Sequence, residues 1–132
     1  MKSTFFYQPK VWGLTVQFVR HPVFSAHHII VNPGTFCSVH RHAHRVNSFF
    51  VLKGTLIVRV WNNEHAPDDC LLLAGQGCEV PPNVYHQFRS ETGAEVIETY
   101  FPILPTDDDI HRISEGGLMY PKENPEGGES IG

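Results

Sequence analysis

The segment Gly34–Gly54, GTFCSVHRHAHRVNSFFVLKG, decides the reading of this chain, because it sets three histidines at alternate positions between two glycines. On a β-strand, side chains two apart share a face, so His40, His42 and His44 would point one way and Arg41, Ala43 and Arg45 the other. Two same-face histidines separated by one residue can hold a single ion, with ring nitrogens about 2.0 to 2.2 Å from a first-row metal. A third ligand must then come from elsewhere in the fold. His86 is the obvious supplier, since the preceding VPPNVY would fix a tight turn and aim the strand that follows.

Outward from this segment, short apolar, β-branched and aromatic runs alternate with turn signals. LTVQFV, AHHIIV, NSFFVLKG, TLIVRVW, CLLLAG, CEVPP, HQFR and AEVIETYF are separated by NPG, WNNEHAPDD, AGQG, PPN and ETGA. None has the length or 3.6-residue periodicity of a helix, and the pattern is that of an all-β sandwich or barrel. Phe49, Phe50, Val51 and Phe88 are expected in its core and pocket wall. After Phe101 the chain turns rich in Pro, Gly and acids, and only DDDIHRIS offers a short helical turn. We therefore expect one domain over residues 1–113 and an acidic, Gly/Pro-rich tail over 114–132.

The bulk properties narrow the function classes. A chain of 132 residues is the size of one ordinary domain. No apolar run approaches the roughly 20 residues of a membrane helix, and the N-terminus lacks the pattern of a signal peptide, so a cytoplasmic protein with no membrane partner is expected. Cys37, Cys70 and Cys78 fit no zinc spacing and are expected to be reduced thiols. The net charge of −4 divides into +4 over residues 1–90 and −8 over 91–132, with no dense basic stripe, which argues against nucleic acid. A small anionic ligand near the first part is compatible with that asymmetry.

Two motifs in register carry a resemblance to a known family. Gly34, five residues, His40, one residue, His42, four residues, Asn47, six residues and Gly54 is similar to the first cupin motif, with Asn47 in the position of its glutamate. Gly75, five residues, Pro81, Asn83 and then His86 resembles the second. The similarity extends from about residue 9 to 113 and resembles the cupin domain of type II mannose-6-phosphate isomerases: KVWG, IIVNPG, HRVNSFFVLKGTLIV, VPPNVYHQFRS, EVIETY and DDDIHRI each have a counterpart there. The resemblance implies a small antiparallel jelly-roll β-barrel, a divalent metal held by His40, His42 and His86 with Asn47 adjacent, and a homodimer paired through N-terminal strands. That family would place Gln at His40 and Glu at Asn47, so here an acid is missing and an imidazole has been added.

A three-histidine site is neutral and leaves positions open to water, substrate or oxygen, while Asn47 can coordinate through its carbonyl or hold a bound water. Fe, Mn, Zn, Ni and Co all suit such donors, and ligand type does not choose among them. The likeness points to a sugar or sugar-phosphate isomerase-like activity on a small polar molecule. Three-histidine dioxygenases also occur among cupins, and a non-catalytic small-ligand-binding cupin is the third reading. Tyr100, Glu98 and Tyr85, on or beside strands expected to line the barrel, are the candidates for a general acid or base. His44 shares the ligand face by parity, but its Cα would stand roughly 13 Å from that of His40 at about 3.3 Å per residue, so packing in the barrel or proton transfer is expected of it. Arg41 and Arg45 are expected on the solvated outer face.

Overall fold

The computed structural model describes residues 5–63, 66–102 and 110–120, and among these every regular element is a strand. In chain order they are β1 (Phe6–Lys10), β2 (Gly13–His21), β3 (Phe24–Val31), β4 (Thr35–Phe36), β5 (His40–His42) and β6 (Val46–Trp61). There follow β7 (Asp68–Leu73), β8 (Gly77–Val80), β9 (Tyr85–Ser90), β10 (Ala94–Phe101), β11 (Ile110–Arg112) and β12 (Gly117–Leu118). All pairings are antiparallel, along the path β1-β2-β3-β10-β6-β9-β4-β12, with β7 and β8 also on β6 and β5 bridging β9 and β11. No helix of the described residues is long and apolar enough to cross a membrane.

One strand joins the two walls of this curled sheet. The first half of β6 pairs with β10 and β8, the second half with β7 and β9, and the change falls at Gly54. Gly54 has φ +76°, and a Cβ there would lie 2.1 Å from the Gly93 carbonyl oxygen, so only glycine fits the corner.

Period-two alternation fills the interior. Ile29, Val31, Phe49, Val51, Leu56, Val58, Val80 and Val96 form one apolar cluster with Trp12 and Phe88, whose rings meet edge to face at 4.8 Å. Phe50 corrects the expectation for its run: it is 46% exposed, because Phe49 and Val51 take the inward positions on either side.

The inner face changes from apolar to polar along the strands. Cross-strand partners share a face, so the register sets two polar rows side by side: Gln17, His27, Glu98 and Phe49 in one, and Arg20, Ser25, Tyr100 and Asn47 in the next. Gln17 and Arg20 would face opposite ways on a regular strand. A bulge between Gln17 and Val19 turns both into the interior.

The expected helical turn at DDDIHRIS is corrected where it is described. Ile110–Arg112 is a strand whose register is Ile110 with His42, His111 with Arg41 and Arg112 with His40; residues 107–109 lie outside the described residues. The sheet pairing that β5 requires outweighs any local helical preference of three residues. Beyond residue 113 the chain still follows the barrel: Ile113 N–H donates to Val39 O, Gly117 and Leu118 pair with β4, and Met119 N–H donates to Gly34 O at 2.7 Å. Residues from 121 onward lie outside the described residues.

Candidate metal centre

His40 and His42 come from β5 and His86 from the start of β9, directly across the ladder from His40. One ring nitrogen from each lies within 4.8 Å of the others, and all three residues are buried. A neutral, buried imidazole is what a metal ligand must be, and burial drives each ring below its ordinary pKa. His40 is held at about 3, by burial and then His86, and His42 at about 2, by burial and then His40. His86 is lowered as well, through burial.

The hydrogen bonds test whether this donor set fits a cation. His40 Nδ1–H donates to Ser38 O at 2.9 Å, which leaves Nε2 as a lone pair. His86 sits between two oxygens, Val84 O at 2.9 Å from Nδ1 and Asn47 Oδ1 at 3.0 Å from Nε2. A neutral imidazole has one proton for these two acceptors, so one of the contacts sets lone pair against lone pair. A cation beside Nε2 and Oδ1 removes that conflict, while Asn47 Nδ2 keeps its donation to Thr99 O at 3.3 Å. His42 Nε2 is buried with no hydrogen-bond partner. The cluster is thus capable of holding a metal ion, and these buried, incompletely satisfied nitrogens fit one.

His42 adds a condition. Its Nδ1 accepts from Arg45 Nε at 3.3 Å, so the neutral ring carries its proton on Nε2. An ion on Nε2 requires that proton to leave or move to Nδ1, with Arg45 drawing away toward the Tyr100 ring, whose centroid its Cζ already faces at 4.5 Å. The expectation that Arg45 faces outward is therefore corrected: β5 ends at His42, and parity does not carry through the bend that follows. Arg41 does lie on the outer side, over the Tyr85 ring at 5.1 Å.

His40 and His42 open onto a cavity of about 810 Å3 that Glu98, Tyr100 and His27 also line. Glu98 is 7% exposed, and burial raises its carboxyl to about 7 against hydrogen bonds from Tyr100 and Asn47 that lower it. The Tyr100 hydroxyl is pushed up by burial and then by Glu98. His27, at about 4, is lowered by burial and then Arg45, and its Nδ1 stands 4.0 Å from a Glu98 oxygen.

Of the candidate residues, the fold brings together His40, His42, His86, Asn47, Glu98 and Tyr100. It does not bring Tyr85 or His44. Tyr85 borders a separate shallow depression with Trp61 and Ile113 on the outer side of the barrel. His44 is exposed beyond the end of β5, which corrects the expectation of packing inside the barrel. His27 escaped the sequence reading, although in AHHIIV it shares parity with Ile29 and Val31. Lys10 and Arg112 escaped it as well, and nothing local to their sequence marks them.

A family model described as a cupin domain matches residues 27–100, more than half of the chain. The chain belongs to the cupin family. Solved structures agree on the fold: oxalate decarboxylase from Bacillus subtilis superposes on this cupin with TM-score 0.72 at 12% identity, over 83% of this chain and 30% of that one. Capsular polysaccharide assembling protein CapF from Staphylococcus aureus gives TM-score 0.73 at 16% identity, over 86% and 32%. This cupin spans about a third of the length of either protein. A further Bacillus subtilis oxalate decarboxylase structure, described as having Mn(II) centres, gives TM-score 0.71 at 10% identity, over 83% of this chain and 30% of that one. No curated protein sequence matches the chain.

Proposed function

We propose that this cupin is a divalent-metal protein acting on a small polar molecule, most simply by an isomerase-like proton transfer on a sugar or sugar phosphate. The observation that carries the reading is Glu98: a carboxyl raised to about 7 by burial, lining the same cavity as His40 and His42 of the three-imidazole cluster. A group poised near neutrality can both take and return a proton at its oxygen, which aldose–ketose interconversion requires between adjacent carbons. Tyr100, beside it, donates a hydrogen bond that steadies the ionised form. His40, His42 and His86 are the ligands in this reading, with Asn47 as a weak fourth donor or the holder of a bound water. The ion, when bound, would polarise a substrate carbonyl or hydroxyl as a Lewis acid. The sequence likeness to type II mannose-6-phosphate isomerases supports the reaction class.

Metal analysis and turnover test this reading together. His42→Ala and His86→Ala should each abolish ion binding, while Glu98→Gln should retain the ion and lose interconversion of aldose to ketose, followed by NMR. Unchanged metal stoichiometry in either histidine variant refutes the ligand assignment. A sugar panel without turnover refutes the isomerase.

A dioxygenase is the second reading, favoured by the donor set itself, which has three neutral imidazoles and an amide where a carboxylate would add charge. Iron in the purified protein together with oxygen uptake would establish it. We further propose a homodimer through β1, an edge strand on which Phe6 and Tyr7 are 76% and 66% exposed, and a cytoplasmic setting in which three free thiols stay reduced. A monomer by light scattering at high concentration refutes the dimer.

A further inference from the structure

Among the described residues, more cations than carboxylates line the cavity. Lys10, Arg20, Arg45 and Arg112 all line it, and the one carboxylate among the described lining residues is Glu98. On the outer surface Arg59 holds Asp69 through two contacts at 2.7 and 2.9 Å, and Lys53 stands 4.0 Å from Glu95. Among the described residues no carboxylate lies within ion-pair distance of Lys10 or Arg112.

Topology brings these two cations to the cavity that His40 and His42 line. Arg112 is the cross-strand partner of His40 on β11, so both side chains emerge on the cavity side. Lys10 ends β1 on the face that also sends Gln8 into the cavity, and it is half-buried. Burial and then the neighbouring Arg112 lower its ammonium pKa, against Glu98, which raises it, so the carboxylate offsets only part of the cost of holding this cation. His27 adds a buried Nδ1 with no hydrogen-bond partner to the same cavity.

We infer that the ligand of this cavity is a small anion, a carboxylate or a phosphate monoester, whose charged end is held by Lys10 and Arg112 while another polar end reaches the histidine cluster. This rests on the small-molecule reading above and adds its substrate class. Arg112 supplies a planar fork suited to two oxygens of one anionic group, and Lys10 a point charge beside it.

The test is calorimetric binding of malonate and, separately, inorganic phosphate to the full chain, both metal-free and loaded with manganese(II), at low salt. Lys10→Ala and Arg112→Ala should each weaken the preferred anion about tenfold, with manganese content and melting temperature unchanged. Lys10→Arg should restore most of the affinity. Binding should also fall steeply with added salt. Preference between malonate and phosphate identifies the anionic group. Equal anion affinity in the Lys10→Ala/Arg112→Ala double variant overturns the inference, as does absence of binding of both anions to wild-type protein. Failure of wild-type protein to take up manganese would strike the metal reading instead, since anion binding is also read on the metal-free chain.

Discussion

Acid should unfold the metal-free protein well before it protonates ordinary surface carboxylates. His27, His40 and His42 are held at about 4, 3 and 2, whereas in an unfolded chain each would titrate near 6.5. Below pH 6.5 the unfolded state therefore binds protons that the folded state refuses, and stability falls as pH falls through that window. Between pH 7.5 and 5 each ring costs about 2 kcal/mol, or about 6 kcal/mol for three. Glu98 acts in the opposite sense. Its folded pKa of about 7 lies above its ordinary value of 4.5, so its contribution is present below that value and is lost as pH rises through 7. Over the same interval it returns roughly 2 kcal/mol, leaving a net loss of about 3 to 4 kcal/mol, a large share of the stability of a domain this size. Urea unfolding of EDTA-treated protein, followed by tryptophan fluorescence at pH 7.5, 6 and 5, measures it. The midpoint should fall steadily with an unchanged slope. An equal or higher midpoint at pH 5 would refute the claim that these rings are buried neutral.

Three further outcomes follow from single contacts. Asn47→Leu should weaken manganese(II) binding about tenfold or more by equilibrium dialysis, because the amide that faces His86 Nε2 is gone; unchanged affinity would show that Asn47 takes no part. Gly54→Ala should lower the unfolding free energy by at least about 1 to 3 kcal/mol from the positive φ alone, before the clash with Gly93 O is counted; a wild-type melting curve would contradict the corner geometry. Arg59→Gln should change stability by less than about 1 kcal/mol in chemical denaturation, since its pair with Asp69 is exposed to solvent.

Much of the barrel was legible in the sequence because inward and outward positions alternate with period two, and because Gly, Pro and Asn punctuate the strands. Each run from LTVQFV to AEVIETYF overlaps a strand, and the fold brings the imidazoles of His40, His42 and His86 together. What parity mispredicted were the residues next to interruptions of the ladder. Arg45 turned inward because β5 ends at His42. His44, two residues past the end of β5, went to solvent.

The strand pattern, the glycines and the two histidine motifs are local properties, set by what each residue and its near neighbours can do. The sequence by itself therefore determined an all-β barrel and the identity of the candidate ligands. The wall facing those ligands was decided only by the tertiary structure. Lys10, His27, Glu98 and Arg112 lie on four different strands, and only His27 and Glu98 are cross-strand neighbours; the curl of the sheet brings all four to one cavity. Whether a carboxyl stays ionised or a lysine stays unpaired depends on the water and charge that remain around it after folding, and neither is written in its local sequence.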